Sequence, residues 1–302
     1  MKQPRHTDPL PLGGEGIPYS KGLMARALIA TGMRAVPAYE LARRIDLDLQ
    51  KRGSDSVELE RVHELAVDSL GEEEAGEAMR RLRRFEELHR VELPVILLVG
   101  GGTGTGKSTL ATEVAYRLGI SRVTSTDFVR QTMRAFFSRE FMPTIHYSSF
   151  EAGGVAGGVA TDQAVAGFLE QTRNVLVGVG AAMDRALEEE WSMVLEGVHL
   201  VPGMLPSSIE GALFVQCVLA VEDEELHRAR FQVRDIGSDG KRGQDRYLER
   251  FEEIRAIQEF IVQRARERDV AVIENGDPER SIVEVMELVF SSVGEGQSVS
   301  AG

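Results

Sequence analysis

The run Val95-Ile96-Leu97-Leu98-Val99-Gly100 leads directly into Gly101-Gly102-Thr103-Gly104-Thr105-Gly106-Lys107-Ser108, and no other stretch constrains the fold as tightly. The octet fits G-x-x-x-x-G-K-[ST] without a mismatch. Glycine is needed there because backbone N–H groups must turn inward around phosphate oxygens that a side chain would exclude. A short β-type run precedes the loop, and Thr109 to Leu118 has helical periodicity that stops at Gly119. Strand, loop and helix in that order put a bound phosphate at a helix N-terminus, where the backbone dipole favours negative charge. The expected nucleotide contacts are Gly102, Thr103, Gly104, Thr105, Gly106, Lys107, Ser108 and Thr109. Lys107 would neutralise the β- and γ-phosphates, and Ser108 would ligate Mg2+.

Around this core the chain divides by pattern. Residues 1–16 are Pro- and Gly-rich without periodicity and read as a disordered leader. Residues 17–92 form a small all-helical domain, with stretches at about 20–31, 37–51, 56–69 and 72–90 separated by Gly32, Gly53 and Gly71. Its last helix carries Arg80, Arg81, Arg83, Arg84 and Arg90 interleaved with Glu86 and Glu87, the pattern of a solvated face. Residues 93–293 alternate short apolar runs with helical ones, which predicts an α/β domain with a five-stranded parallel sheet flanked by helices. The strands are Val95–Val99, Arg122–Ser125, Ser192–Leu195, Leu213–Ala220 and Val270–Ile273. A long loop, Pro143 to Gly158, precedes a helix of about Asp162 to Glu190 and is expected to be functional or mobile. Residues 294–302 read as a flexible tail.

Charge and cysteine content narrow the function class. With 302 residues, 42% of them hydrophobic, the chain can bury a sizeable core, while a net charge of -13 argues against a general nucleic-acid binder. Cys217 is the sole cysteine, so no intramolecular disulfide forms, and its apolar neighbours place it in a buried strand. Met1 to Thr7 is polar with no apolar stretch behind it, and no window reaches the roughly 18 apolar residues of a membrane span. A cytoplasmic protein without a membrane partner is expected. No heptad of useful length is visible, so a homo-oligomer is possible but unspecified.

In an open α/β sheet, ligands bind beyond the carboxyl ends of the strands. The second strand ends in Ser125-Thr126-Asp127, followed on one helix face by Arg130 and Arg134. Asp127 either orients or deprotonates an attacking hydroxyl while the two arginines hold an anionic acceptor, or it simply caps the helix. The third strand runs into Glu196-Gly197-Val198-His199, which places a carboxylate at a magnesium-side position, although Asp is the commoner residue there. His199 has no second histidine at ligand spacing and reads as a structural residue. Between His227 and Arg246, six basic residues (Arg228, Arg230, Arg234, Lys241, Arg242, Arg246) face three acids, a local +3 around a glycine-rich centre. This predicts a lid whose arginines, Arg230 and Arg234 among them, act on the transferring phosphoryl group. The fifth strand ends in Glu274-Asn275-Gly276-Asp277-Pro278, where Asn275 either borders the adenine ring or belongs to an ordinary turn.

The chain lacks the N-K-x-D base-reading motif of GTPases and the apolar run ending in Asp-Glu of ATP-driven motors. It resembles the archaeal-type 2-phosphoglycerate kinase family over most of its length. The resemblance is carried by Gly101 to Ser108, by Ser125-Thr126-Asp127 with Arg130 and Arg134, and above all by Pro143-Thr144-Ile145-His146-Tyr147-Ser148-Ser149-Phe150-Glu151-Ala152. Leu195-Glu196-Gly197-Val198-His199, His227 to Arg234 and Tyr247 to Ala265 continue it. Residues Ile17 to Arg26 also look like the end of an ATP-cone module whose usual opening strands have no counterpart before Ile17. The resemblance implies a P-loop kinase that uses ATP and Mg2+ to phosphorylate the 3-hydroxyl of 2-phosphoglycerate. Arg130, Arg134, His146, Ser148 and Ser149 would bind that small anionic substrate, and Ser108 and Glu196 would serve the metal. Two other readings are a kinase of another small hydroxyl compound and a nucleotide-gated regulatory protein that binds ATP without phosphorylating an acceptor.

Overall fold

The computed structural model describes residues 19–91, 93–156, 161–237 and 244–299, which fall into two compact units. The first comprises residues 19–91 with 116–119 and 290–299, and the second 93–115 with 120–289. Among the described residues no helix is long and apolar enough to cross a membrane.

Four helices build the first unit: α1 (Lys21–Ala30), α2 (Ala35–Arg52), α3 (Leu59–Leu70) and α4 (Glu72–Arg90). Ser20 caps α1 through its hydroxyl, which accepts from Leu23 N at 3.4 Å. Gly53 ends α2 in the left-handed region at φ 63°, a conformation that costs glycine least. Each helix buries one apolar stripe. Met24 and Leu28, Leu41 and Ile45, Val62 and Leu82 are the fully buried side chains where these stripes meet. Arg61 of α3 reaches Asp48 of α2 at 2.6 Å.

The second unit carries β1 (Val95–Gly101), α5 (Lys107–Leu118), β2 (Val123–Ser125) and α6 (Thr126–Phe136), then two short 3-10 turns, Pro143–His146 and Ser149–Ala156. It continues with α7 (Thr161–Glu188), β3 (Met193–Glu196), β4 (Leu213–Ala220), α8 (Glu224–Gly237), α9 (Gln244–Glu249), α10 (Phe251–Arg266), β5 (Ala271–Glu274) and α11 (Pro278–Val299), with the end of α5 from Tyr116 and the part of α11 from Phe290 belonging to the first unit. The five strands are all parallel in the order β2-β3-β1-β4-β5. All seven residues of β1 are buried, as a central parallel strand covered on both faces requires. One face packs Ile96, Leu98 and Leu195 against Val175, Val179 and Met183 of α7. A second apolar cluster joins Val218 of β4 to Phe251, Ile254, Ile257 and Ile261 of α10 and Phe231 of α8. Cys217 is buried in β4, and burial pushes its thiol up to about 12.

Two segments differ from the sequence expectation. The Pro143–Gly158 stretch is wound into two 3-10 turns up to Ala156, because buried Thr144, Ile145, Phe150 and Ala152 pin it to the core. Helix α11 continues through Val299, past Gly294, since extending a helix already anchored by buried Phe290 and Val293 adds one hydrogen bond per residue ordered. The glycine-rich centre of the expected lid, 238–243, lies outside the described residues.

Candidate active site

Strand register levels the carboxyl ends of the sheet. Glu196 stands opposite both Val99 and Ser125, Gly101 opposite Leu219, and Ala220 opposite Glu274. The chain leaves β1 for β2 and β3 on one side and for β4 and β5 on the other, so the crevice beyond β1 is the topological switch point. The phosphate loop occupies it.

Within the loop, Gly104 and Gly106 adopt φ of 88° and 89°. A Cβ on Gly104 would lie 2.5 Å from the Phe231 ring and 2.9 Å from His227 Nε2, so glycine is required by conformation and by space together. Lys107 opens α5 and folds across the loop, donating from Nζ to Gly102 O at 2.6 Å. The loop's outward carbonyls are held by residues from the far end of the chain. Thr105 O accepts from Arg230 NH1 at 2.9 Å and from Asn275 Nδ2 at 2.7 Å, and Arg230 NH2 also donates to Asn275 O. Thr103 O accepts from His227 Nε2 at 2.8 Å. A carbonyl has no proton to give, so Nε2 carries the hydrogen. Burial lowers its pKa to about 4, with the charges of Arg255, Arg230 and Lys107 adding to the effect against the Thr103 bond. The ring stacks on Phe231 at 5.4 Å between centroids.

Ser108 and Glu196 lie 88 positions apart in sequence, yet Ser108 Oγ donates to Glu196 Oε1 at 3.0 Å. A hydroxyl and a carboxylate side by side at the phosphate loop form the hard-oxygen set that Mg2+ prefers, with substrate phosphates and water completing the shell. Among the described residues there is no group of three or more His, Cys, Asp or Glu side chains that could hold a metal ion. The residues present fit the ion.

The cap of α6 is Ser125, whose Oγ accepts from Phe128 N at 3.0 Å. Asp127 sits in the first turn of the helix with its side chain 68% exposed and paired to Arg130 Nε at 3.3 Å. Its carboxylate therefore remains accessible. Arg130 and Arg134, expected to act together, have different environments. Arg130 is buried and donates from NH1 to Ile145 O and Tyr147 O, both at 2.9 Å. Arg134 is exposed and donates to Gln131 Oε1 at 3.0 Å. His146 Nε2 is 3.0 Å from Phe137 O, and Ser149 is buried at the start of its 3-10 turn.

The descending limb of the expected lid is visible as α9. Its Arg246 pairs with Glu151 through Nε at 2.6 Å and through NH2, which also donates to Ser148 Oγ at 3.1 Å. Arg234 lies on α8, but its side chain is outside the described residues, as are Lys241 and Arg242. His199 is fully buried and bonded at both nitrogens, in keeping with its structural reading. Sequence reasoning missed the loop contacts of His227 and the buried amide of Gln171. His227 opens the His227 to Arg234 stretch that carries part of the resemblance, but its spacing gave no sign of the loop contact, and Gln171 belongs to no motif.

No protein-family model matches the chain. Its curated relatives are similar over nearly their whole length. It is 36% identical to the 2-phosphoglycerate kinase of Pyrococcus furiosus over 92% of this chain and 91% of that protein. It is 35% identical to the 2-phosphoglycerate kinase of Methanopyrus kandleri over 93% and 86%, and 34% identical to that of Methanothermobacter thermautotrophicus over 92% of each.

Proposed function

Because the chain belongs to the 2-phosphoglycerate kinase family, we propose that it transfers the γ-phosphoryl group of ATP to the 3-hydroxyl of 2-phosphoglycerate, yielding 2,3-bisphosphoglycerate and ADP. The observation that best supports this reading is the single sheet edge where the phosphate loop, the Ser108–Glu196 pair and the accessible Asp127 carboxylate converge.

The acceptor oxygen attacks the γ-phosphorus, the bond to the β,γ-bridging oxygen breaks, and ADP leaves with that electron pair. Asp127 holds the attacking hydroxyl and takes its proton. The loop N–H groups and Lys107 bear the phosphate charge at the N-terminus of α5. Ser108 and Glu196 would hold Mg2+, which would supply positive charge against the β- and γ-phosphates. Arg230, hydrogen-bonded to backbone on both sides of the crevice, keeps the loop in shape and adds its positive charge from behind. Exposed Arg134 and the hydroxyl of half-buried Ser148 receive the acceptor's phosphate and carboxylate, while Arg130 secures the backbone beneath them and Ser149, expected to share the task, is buried.

The test is ADP release with Mg-ATP against a panel of phosphorylated and unphosphorylated hydroxy acids, sugars and nucleosides. Stimulation confined to 2-phosphoglycerate is expected. Stimulation by a different hydroxyl compound would reassign the acceptor, and none at all would support a regulatory role.

A further inference from the structure

A buried chain of neutral groups runs beneath the site, and none of its middle members touches solvent. Gln171 of α7 is fully buried, and its Nε2 donates to Thr144 O at 2.5 Å and to Tyr147 O at 3.1 Å. Both partners are carbonyls, so the amide nitrogen must face them and Oε1 must face the other way. There it meets His199 Nε2 at 2.9 Å. Oε1 has no proton, so His199 Nε2 carries one. Burial drives the pKa of His199 down to about 3, opposed by the charge of Asp127 and reinforced by Arg130 and Lys107. The ring is therefore neutral, and its Nδ1 lone pair accepts the hydroxyl proton of Thr126 at 2.8 Å. Every hydrogen bond in the series points the same way, from Thr126 through His199 and Gln171 to the carbonyls of the 143–148 segment.

Each end of the series is fastened to a different part of the site. Thr126 opens α6 and precedes Asp127. It also packs on Gly197, the residue after Glu196, so closely that a Cβ there would overlap Thr126 Oγ1. At the other end Arg130 shares Tyr147 O with Gln171 and adds Ile145 O. Two side chains thus hold three carbonyls, those of Thr144 and Ile145 in the 3-10 turn and of Tyr147 at its C-cap, and both are linked to the first turn of α6, Arg130 through Asp127 and Gln171 through His199 and Thr126.

We propose that Thr126, His199 and Gln171 are positioning residues that set the acceptor segment 143–148 relative to Asp127 and Glu196, so that they govern acceptor binding and attack without governing nucleotide binding. The proposal rests on the kinase reading above. Among the described residues the hydrogen-bond partners of these three side chains lie outside the phosphate loop, whereas the loop is held by His227, Arg230 and Asn275. The two halves of the site are therefore supported by separate sets of residues.

The test uses the full chain with Mg-ATP and 2-phosphoglycerate. Gln171→Glu keeps the length and the acceptor for His199, but its carboxyl has no proton to donate when ionised and only one to share between Thr144 O and Tyr147 O when burial protonates it. Thr126→Val removes the hydroxyl at constant shape, and Thr126→Ser restores it. Gln171→Glu and Thr126→Val should raise the KM for 2-phosphoglycerate at least about tenfold and lower kcat, with the KM for ATP within about twofold of wild type. Thr126→Ser should return the acceptor KM toward wild type. Amide hydrogen exchange of 144–148 should speed up in the first two variants, while exchange at 102–108 stays unchanged. An unchanged acceptor KM in a folded Thr126→Val protein would overturn the proposal, as would parallel rises in both KM values. If wild type shows no turnover with 2-phosphoglycerate, the kinase reading fails instead. The exchange comparison then decides the positioning role by itself.

Discussion

The phosphate loop and the acceptor segment sit at the same edge of one sheet, yet they are specified in opposite ways. The loop works through its backbone: glycines at positive φ, amides turned inward and one lysine, all within Gly101 to Ser108. Its local sequence carries nearly all of its chemistry, and remote residues only steady its outward carbonyls. The segment 143–148 is the reverse. Its own side chains would touch substrate, but its conformation is imposed by Arg130 and Gln171 from two other helices. A motif that functions through backbone can be recognised in isolation. One that functions through side chains depends on whatever holds its backbone.

Substitutions can separate the two regions. The largest effect is expected from Lys107→Ala, which removes the charge over the phosphates and should lower kcat by about 1,000-fold or more in a steady-state ADP-release assay. Asp127→Asn should reduce kcat by roughly 100- to 10,000-fold while the ATP Kd, measured by calorimetry, stays within about twofold. An unchanged kcat would remove Asp127 from the proton transfer. Arg230→Met leaves Thr105 O and Asn275 O each short of a donor. It should raise the KM for ATP roughly tenfold and leave the acceptor KM nearly unchanged, the mirror image of Gln171→Glu. A rise in the acceptor KM would erase the division between the regions.

The smallest effect concerns pH. His227 titrates near 4 in the folded chain, because burial disfavours its charged form, and near about 6.5 when unfolded. The unfolded state therefore takes up the proton first as pH falls. Stability associated with this residue is lost between about pH 7 and pH 4, by at most about 1.4 kcal/mol per pH unit. His227→Gln keeps an N–H for Thr103 O but does not titrate. Its melting temperature should lie below that of wild type at pH 7 and close the gap toward pH 5. A gap independent of pH would mean that His227 is not held neutral.

Much of this was readable from residue patterns. The five strands of the sheet lie within two residues of their expected ends, because short apolar runs bounded by turn residues leave little freedom in a doubly covered sheet. The pairing of Ser108 with Glu196 was anticipated only as two separate metal-side candidates. Their 3.0 Å approach follows from the register that sets Glu196 beside Val99, a tertiary fact. Arg130 and Arg134 illustrate the limit. Helical spacing puts both on one side of α6, but burial against 145–147 makes Arg130 a backbone anchor and leaves Arg134 exposed. Of the two readings of Asp127, the structure removes helix capping, since Ser125 caps the helix.

By itself the sequence determined that a triphosphate would sit on a helix after a buried parallel strand, because that chemistry is written in eight contiguous residues. It also determined the family, through matches spread along the chain. Tertiary structure alone decided which polar residues spend their hydrogen bonds on the protein's own backbone and side chains. His199, Gln171, Arg130, His227 and Arg230 all lie at the edge where catalysis is proposed, but hydrogen bonding and burial occupy their donors with protein carbonyls and amides. A side chain's role depends on what remains of its hydrogen-bonding capacity after folding, and no spacing rule along the chain records that.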